Sequence, residues 1–251
     1  MNKIGSKKVA LIIGSSGGIG TACALSLAHS GYEVALHYNK NRHHLSDLQA
    51  RIVKEGRQAI LVKADVSNPN SVSKMADTVI KTWGRIDTLL ISSGISEIKK
   101  FEELSVKDWD RMMDVNLKGP FLCCQKVLPH MKHRRSGRII LISSQAGHTG
   151  GIFVGAHYSI AKAGITCLMK YLSNKFAKSG ILINCVAPGL VATEMLKEFP
   201  TELINNSIKS IPLNRIAHPN EIAEAVSFLA SPGSSYITGM TLHVNGGLYN
   251  P

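Results

Sequence analysis

The sequence predicts a doubly wound α/β fold, in which a parallel sheet of seven strands carries helices on both faces. Three observations lead to this fold class. Short apolar runs alternate along the whole chain with longer segments of helical periodicity. The runs are apolar at nearly every position, as strands covered on both faces require. No linker, repeat or low-complexity tract divides the 251 residues, so residues 1–251 are expected to form one domain.

The strands are predicted where β-branched and aliphatic residues follow one another without a break. In chain order they are residues 9–13, 33–38, 59–63, 88–92, 138–143, 182–187 and 241–244. The segments between them carry apolar residues at helical spacing. They predict helices at residues 19–30, 45–55, 70–83, 105–128, 158–179 and 219–230. Each predicted helix therefore serves as the crossover that two parallel strands need.

One segment, residues 190–211, interrupts this alternation. It follows the end of a strand and is rich in apolar residues, among them Met195, Leu196 and Phe199. Such a segment forms either a packed pair of helices or a lid over a ligand. We favour a lid, because the strand before it ends in residues suited to binding.

The charge balance points to acidic partners. Lys and Arg number 29 against 17 Asp and Glu, a net charge of +12 at pH 7, which suits phosphorylated cofactors, an acidic protein or nucleic acid. The densest basic cluster is Lys132, His133, Arg134, Arg135 and Arg138. No aromatic residues are interleaved there, so we interpret it as a solvated helix end and expect no nucleic-acid partner.

Cysteine usage and the first apolar run indicate the compartment. The five cysteines form no CxxC pair or disulfide framework, which is typical of a reducing environment. No histidine, cysteine or carboxylate cluster has the spacing of metal ligands, so no metal site is expected. Residues 9–13 are too few for a signal peptide or a membrane span before glycines interrupt them. We therefore expect a cytoplasmic protein without a membrane segment.

A glycine-rich loop follows the first predicted strand and opens the first helix. It reads Gly14-Ser15-Ser16-Gly17-Gly18-Ile19-Gly20. Glycines let a pyrophosphate approach the backbone, where free amide groups and the positive end of the helix dipole meet its charge. Tight turns need glycine for steric reasons too, but the place of this loop in a first βαβ unit favours a Rossmann-type dinucleotide site.

Tyr158 and Lys162 form a candidate acid–base pair. At i and i+4 they project from one helix face, about 6 Å apart along the axis. A nearby ammonium group stabilises the phenolate, so we expect Lys162 to lower the pKa of Tyr158 from about 10. The alternative is a tyrosine that packs on the lysine stem. Ser144 and the glycine loop favour the catalytic interpretation.

In combination these motifs resemble the short-chain dehydrogenase/reductase family. The glycine spacing is G-x-x-x-G-x-G, and the other motifs follow in the family's order across nearly the whole chain: Asp65-Val66, Asn116, Ser144, Tyr158-x-x-x-Lys162, and Pro188-Gly189 with Thr193. One motif differs, since Ile91-Ser92-Ser93-Gly94 stands where the family has Asn-Asn-Ala-Gly. That departure bears on cofactor positioning rather than on acid–base chemistry.

The resemblance implies a nicotinamide cofactor, and the residues after the second strand bear on which one. Dehydrogenases that use NAD place a carboxylate there to bind the ribose hydroxyl. Here no acid occurs before Asp47, and Lys40 or Arg42 could pair with a 2′-phosphate, so we expect NADP(H), although Gly17 stands where many NADP-using relatives have a basic residue. The implied cofactor contacts are Gly14, Ser16, Gly18, Ile19, Gly20, Asn39, Lys40, Arg42, Asp65, Val66, Ser92, Gly94, Tyr158, Lys162, Pro188, Gly189, Val191 and Thr193.

The family mechanism assigns the catalytic roles. Tyr158 protonates a carbonyl oxygen as hydride arrives, and Ser144 polarises that carbonyl. Lys162 also binds the nicotinamide ribose, and Asn116 holds a water of the proton relay. Ser143 and Ser144 face opposite ways at a strand end, so only one can serve. We choose Ser144 from its place in the motif.

Within the family, the chain most resembles the bacterial 3-oxoacyl-[acyl-carrier-protein] reductases. This implies NADPH-dependent reduction of a 3-oxoacyl thioester to the 3-hydroxyacyl product. The acidic carrier protein would dock at basic positions, of which one matches Arg135 and the other falls on Ser179, beside Lys178. The resemblance also implies a homotetramer. The alternatives are a reductase of another ketone in secondary metabolism and a non-catalytic NADP-binding regulator.

Overall fold

Seven parallel strands form one sheet in the computed structural model, which describes residues 7–40, 42–151, 154–197 and 199–250. The sheet order is β3-β2-β1-β4-β5-β6-β7, and every neighbouring pair is parallel. The strands are β1 Val9–Ile13, β2 Glu33–Tyr38, β3 Ala59–Lys63, β4 Thr88–Ile91, β5 Gly137–Ile142, β6 Ile181–Pro188 and β7 Thr241–Val244. This confirms the predicted fold class.

The order of the strands fixes where a ligand can bind. The chain winds outward from β1 to β3 and then returns to β4, on the other side of β1. The loops that leave β1 and β4 therefore diverge to opposite faces and open a crevice at the carboxyl ends of these strands. The glycine loop follows β1, so it lies at this crevice.

The helices cover both faces of the sheet. They are α1 Gly18–His29, α2 His43–Lys54, α3 Pro69–Trp83, α4 Val106–Met113, α5 Gly119–Arg134, α6 Ala146–Thr149, α7 Ala156–Phe176, α8 Glu194–Lys197, α9 Thr201–Ser210 and α10 Pro219–Ala230. One face of the sheet packs against α3, α5 and α7, and the other against α1, α2 and α10. The two buried clusters explain why the strands are apolar on both sides. None of the helices in the described ranges is long and apolar enough to span a bilayer.

The prediction of one helix over residues 105–128 is wrong. A π-helical turn, Asp114–Lys118, separates α4 from α5, and α5 continues past Pro129 to Arg134. Turns of this type are often found at functional sites, and Asn116 lies within it. The other predicted helices and strands are present, with ends that differ by at most three residues.

Residues 190–211 contain two helices, α8 and α9, joined by a short connection. They follow β6 and lie over the carboxyl end of the sheet, where Met195, Leu196 and Phe199 line a cavity. The segment is therefore a helical pair in its local structure. Its apolar side chains face the crevice, which is the position a lid requires.

The basic cluster divides into internal and exposed groups. Arg134 pairs with Asp87 at 2.9 Å, and Arg138 donates to the Ser234 hydroxyl at 3.0 Å. Lys132, His133 and Arg135 are exposed. Two of the five groups thus stabilise the fold, and the surface patch is smaller than the sequence indicates.

Candidate active site

Tyr158 and Lys162 lie near the start of α7, on a face that covers the end of β5. Both are buried, with 9% and 5% of their surface exposed. Lys162 Nζ donates to the carbonyl of Ile142 at 2.9 Å and lies 5.7 Å from the centre of the Tyr158 ring. The i and i+4 spacing therefore places the ammonium group beside the phenol ring.

The two neighbouring serines after β5 have different partners. The Ser144 side chain hydrogen-bonds to Tyr158, and its Oγ accepts from the amide of Ala146 at 3.1 Å. Its hydroxyl hydrogen is thus available to the tyrosine oxygen or to a substrate. Ser143 is buried and donates to the carbonyl of Val186 at 3.3 Å. Ser144 is the serine that the structure brings to Tyr158.

Burial controls the protonation of the pair. The pKa of Tyr158 is raised, because loss of water disfavours the phenolate more than the hydrogen bond from Ser144 favours it. Burial also lowers the pKa of Lys162 to about 8. The expected lowering of the Tyr158 pKa below its ordinary value is wrong for this structure, since burial outweighs the interactions that favour the phenolate. At neutral pH the tyrosine carries its proton, as a general acid must.

Asn116 holds the loop after β4 in place. Its Nδ2 donates to the carbonyl of Ile95 and its Oδ1 accepts from the Ile95 amide, both at 2.8 Å. A Cβ added at Gly94 would lie 3.3 Å from Asn116 Oδ1 and 3.5 Å from Lys162 Nζ. The π-helical turn thus brings Asn116, Gly94 and Lys162 into one group beside Tyr158.

The glycine loop forms a cradle at the start of α1. Gly14 has φ +84°, and a Cβ at Gly20 would lie 2.0 Å from the Gly14 carbonyl oxygen. Within the described chain, α1 has no side-chain cap and no acid in its first turn. Its first amide groups are therefore left for an anion, which fits the pyrophosphate of a dinucleotide. Ser16 is exposed beside the loop, and Ile19 lines the cavity.

The loops after β2 and β3 form the other end of the candidate cofactor site. Asn39, Lys40 and Arg42 are exposed after β2, and Asn41 lies outside the described residues. Asp65 accepts from the Ser67 amide at 2.9 Å and from its hydroxyl at 2.7 Å. These bonds, together with the charge of Lys40, lower the pKa of Asp65. The lysine and the carboxylate are thus close enough to contact one nucleotide.

Val66 lies beneath this end of the site. A Cβ added at Gly119, the first residue of α5, would lie 2.9 Å from Val66 Cγ2. Val66 itself is buried. Val66 therefore anchors the loop after β3, to which it belongs, in the hydrophobic core.

The residues after β6 face the start of α1. Gly189 donates its amide to Val244 at 3.0 Å, and Val191 pairs with Ala217 in an isolated bridge. A Cβ added at Gly18 would lie 2.9 Å from Thr193 Cγ2. Pro188, Gly189, Val191 and Thr193 all line the cavity.

The altered motif after β4 still closes the crevice. The Ser92 amide donates to the carbonyl of Ile13 at 2.9 Å, and Ser92 and Gly94 line the cavity. A Cβ at Gly14 would lie 2.6 Å from the amide nitrogen of Ser93, so the two loops touch through their backbones. The loops approach each other closely through main-chain atoms, which is possible because Gly14 has no side chain.

A cavity of about 250 Å³ lies between these groups. Ser144, Tyr158 and Lys162 line one part of it, and Met195, Leu196 and Phe199 another. Val154 and Leu248 also line it. Sequence patterns offered no signal for these two residues, which come from loops outside every motif.

No group of three or more histidine, cysteine or carboxylate side chains that could hold a metal ion occurs in the part of the chain that the structure describes. The polar groups around the cavity are hydroxyl, amide and ammonium groups instead. They suit proton transfer and hydrogen bonding to an organic substrate.

Comparison with known proteins connects this site to a family. Residues 13–249 match the family model described as enoyl-(acyl carrier protein) reductase. The chain is 37% identical to the 3-oxoacyl-[acyl-carrier-protein] reductase FabG of Staphylococcus epidermidis, over 96% of this chain and 99% of that protein. It is 38% identical to the reductase of the same name from Staphylococcus aureus, over 96% and 98%. A 3-oxoacyl-[acyl-carrier-protein] reductase of Synechocystis sp. is 38% identical, over 96% of each chain.

The fold, the serine–tyrosine–lysine group and these matches define an oxidoreductase that acts on CH–OH and C=O groups with a nicotinamide cofactor. The chain belongs to the short-chain dehydrogenase/reductase family. The three relatives above are 3-oxoacyl-[acyl-carrier-protein] reductases, whereas the matching family model is described as an enoyl reductase.

Proposed function

We propose that the protein reduces a 3-oxoacyl thioester, carried on acyl carrier protein, to the 3-hydroxyacyl product, with NADPH as the reductant and Tyr158 as the general acid. The observation that carries the proposal is the Tyr158 side chain. It is buried at the cavity, hydrogen-bonded to Ser144 and kept protonated at neutral pH by its raised pKa. A carbonyl oxygen beside it would find both a proton donor and a second hydroxyl.

The chemistry divides between the cofactor and the chain. When bound, the reduced nicotinamide supplies the hydride that the carbonyl carbon accepts. Tyr158 gives its proton to the carbonyl oxygen, and Ser144 donates a hydrogen bond to the same oxygen. Lys162, 5.7 Å from the ring centre, then stabilises the phenolate by its charge. Asn116, which pairs with Ile95, is proposed to support the proton relay that returns a proton to the tyrosine.

The lid segment, residues 190–211, supports an acyl substrate. Met195, Leu196 and Phe199 face the cavity together with Val154 and Leu248. An alkyl chain would bury apolar surface there, at about 25 cal/mol for each Å² removed from water. The polar wall formed by Ser144 and Tyr158 would receive the 3-oxo group.

The loop after β2 supports NADPH over NADH. Lys40 and Arg42 are exposed there, and the nearest carboxylate, Asp65, is held by Ser67. A 2′-phosphate would meet cations rather than a carboxylate at this position. Lys40→Ala is expected to weaken NADPH binding about tenfold and to leave NADH binding unchanged.

The exposed basic groups support docking of an acidic carrier protein. Arg135 directly follows α5, and its carbonyl oxygen would lie 2.4 Å from a Cβ at Gly180, so the segment that carries Lys178 is adjacent. Arg135 and Lys178 are exposed, and Ser179 is partly buried between Lys178 and Gly180. The clustered charges would attract a negatively charged partner and raise its rate of association.

An exposed apolar groove supports the proposed homotetramer. Phe121 is 44% exposed on α5 and forms a shallow groove with Leu117 and Leu168. The strand β7 ends the sheet on one side, and its residues are only partly buried. Both features would bury apolar or backbone groups against further copies. Light scattering should give four chains, and Phe121→Asp should reduce this number.

The decisive experiment is oxidation of NADPH and NADH in the presence of 3-oxoacyl, 2-enoyl and unrelated ketone substrates. Turnover of the 3-oxoacyl thioester with NADPH, lost by at least a hundredfold in Tyr158→Phe, would support the proposal. Faster turnover on carrier protein than on a free thioester would support the partner. Turnover only of other ketones would favour the secondary-metabolism alternative, and NADPH binding without any turnover would favour a regulator.

A further inference from the structure

We propose that His37 is a positioning residue for the cofactor: its imidazole holds the glycine loop and joins it to the segment that carries Asp65. The inference rests on the proposed function, because it concerns the same nucleotide site. His37 lies on β2, is 3% exposed, and belongs to none of the motifs that define the site. A polar side chain inside an apolar strand needs partners, and those of His37 are all at the candidate cofactor site.

The imidazole ring bridges two loops. Its Nδ1 accepts from the amide of Gly14 at 3.0 Å, and its Nε2 lies 3.0 Å from the carbonyl oxygen of Ala64. An acceptor role for Nδ1 requires the proton on Nε2, which then donates to Ala64. Ala64 directly precedes Asp65, so one ring joins the glycine loop to the segment that carries Asp65.

The backbone of His37 adds two further bonds to the same loop. Its amide donates to Ser15 Oγ at 3.1 Å, and its carbonyl accepts from the Ser15 amide at 3.3 Å. The Ser15 hydroxyl in turn donates to Ile12 at 2.7 Å. The first two amides of the loop are thereby committed to His37, while those of Gly18 and Ile19 open α1 and have no carbonyl within the helix.

This division of amide groups is the physical basis of the inference. A dinucleotide needs the amides at the start of α1 aimed at its phosphates. Gly14 has φ +84°, a conformation that glycine adopts freely and that a loop must hold by other contacts. The imidazole bond fixes Gly14, and with it the path of the loop toward α1.

The bond depends on the charge of the ring. Burial lowers the pKa of His37, although the Ala64 carbonyl and the charge of Asp65 oppose this effect. The neutral ring is therefore the form present at neutral pH. Two groups of residues face the ring. Asp65, with Lys40 beside it, lies in the loop after β3, and Gly14 and Ser15 lie in the glycine loop. Protonation would turn Nδ1 into a donor directed at another donor.

Two nearly isosteric variants separate the two ring bonds. In His37→Asn the side-chain oxygen takes the place of Nδ1, so the acceptor for Gly14 remains. In His37→Gln the amide nitrogen takes the place of Nε2, so the bond to Ala64 remains and the acceptor for Gly14 is lost. Dissociation constants for NADPH, measured by nicotinamide fluorescence, and thermal unfolding of the apoprotein are recorded for both and for the wild type.

We expect His37→Asn to bind NADPH within about threefold of the wild type and His37→Gln to bind it about tenfold more weakly, the size of one lost hydrogen bond. Equal affinities in the two variants would overturn the inference, since a merely structural role would lower the unfolding temperature without separating them. If the wild type binds no nicotinamide nucleotide, the proposed function fails as well, so the two failures are distinguishable.

The wild type alone provides a second test if the variants do not fold. Binding of NAD⁺, which carries no 2′-phosphate, is measured by calorimetry between pH 5 and 7. Affinity should fall toward the acid end as the ring becomes protonated, because the protonated ring can no longer accept from Gly14. A constant affinity over a range in which NMR shows that the His37 ring becomes protonated would contradict the role of His37.

Discussion

Asn116 and Ile95 exchange two hydrogen bonds, both of 2.8 Å, between one side-chain amide and one backbone peptide unit. The Asn116 side chain thus pairs with the amide and the carbonyl of Ile95, as the backbone of a neighbouring strand would. Gly94 directly precedes Ile95, and a Cβ added at Gly94 would lie 3.5 Å from Lys162 Nζ. The hydrogen bonds between Asn116 and Ile95 therefore also fix one wall of the candidate active site.

Asn116→Ala should therefore cost both stability and activity. It leaves a donor and an acceptor of Ile95 without their partner, at about 1–3 kcal/mol for each buried group. Asn70→Ala, at an exposed position in the first turn of α3, serves as the control and should change stability by no more than about 0.5 kcal/mol. Urea unfolding measures both, and equal stabilities would contradict the importance of the Asn116–Ile95 pair.

The two serines after β5 provide a matched pair for catalysis. Ser144→Ala removes the hydroxyl next to Tyr158 and should reduce kcat by about a hundredfold or more. Ser143→Ala removes the hydrogen bonds of its hydroxyl to the Val186 carbonyl and the Cys185 thiol, so it should reduce stability by about 1 kcal/mol and leave kcat within about threefold. Steady-state kinetics distinguish them. A larger loss of kcat in Ser143→Ala would show that the assignment of the catalytic serine is reversed.

The glycine loop provides a second matched pair. A Cβ at Gly20 would overlap the Gly14 carbonyl oxygen at 2.0 Å, whereas a Cβ at Gly17 meets its nearest atom at 3.7 Å. Gly20→Ala should thus distort the loop and weaken NADPH binding at least tenfold, while Gly17→Ala should bind it within about twofold of the wild type. Fluorescence titration gives both constants. The steric account of the loop would be wrong if both variants bound NADPH equally well.

Gly17 also provides a test of cofactor preference. It is exposed directly before α1, at the position where many NADP-using relatives have a basic residue. Gly17→Arg would add a cation for a 2′-phosphate and should improve NADPH binding several-fold without improving NADH binding. Improved binding of both cofactors to the same degree would place the 2′-phosphate elsewhere.

The buried lysine predicts a pH dependence. Lys162 has a pKa lowered to about 8, so its charge is present at pH 7 and is lost as the pH rises through about 8. Since the pKa of Tyr158 is raised above its ordinary value of 10, the tyrosine remains protonated over the same interval. The value of kcat/KM for reduction should fall above about pH 8. A profile that stays flat to pH 10 would exclude Lys162 as the titrating group.

Docking of a carrier protein at Arg135 predicts that a change at this residue affects the KM for a carrier-bound thioester but not for a free one. Arg135→Glu should raise KM about fivefold for a thioester on carrier protein and leave KM for a free thioester unchanged. Lys54→Glu makes the same charge change on α2, in the opposite helical layer, and should leave both values unchanged. Equal effects of the two variants would indicate a general charge effect rather than a docking site.

Most of the fold follows from patterns in the sequence. The strands are predictable because each is apolar on both faces and is separated from the next by an amphipathic or fully buried helix. The π-helical turn at residues 114–118 was not predictable in this way, since it preserves the apolar spacing of the surrounding helices. Its position depends on the tertiary contact between Asn116 and Ile95.

The candidate site likewise has residues that the sequence predicts and features that it does not predict. Tyr158, Lys162 and the glycine loop stand out because their chemistry depends on short spacings within one segment. The internal bonds of Arg134 and Arg138 could not be predicted from the sequence, because their partners Asp87 and Ser234 are distant along the chain. The raised pKa of Tyr158 likewise depends on burial, which only packing determines.

The cavity takes its walls from Ile19, early in the sequence, and from Leu248, late in it. A nascent chain on the ribosome that has not yet reached Leu248 already contains every proposed acid–base residue, but it lacks part of the cavity wall. Proteolytic cleavage within residues 190–211 would leave the sheet largely intact and open the same enclosure to water. Enclosure of a substrate therefore depends on segments that are distant from Tyr158 in sequence, and a nick in one of them is expected to lower activity.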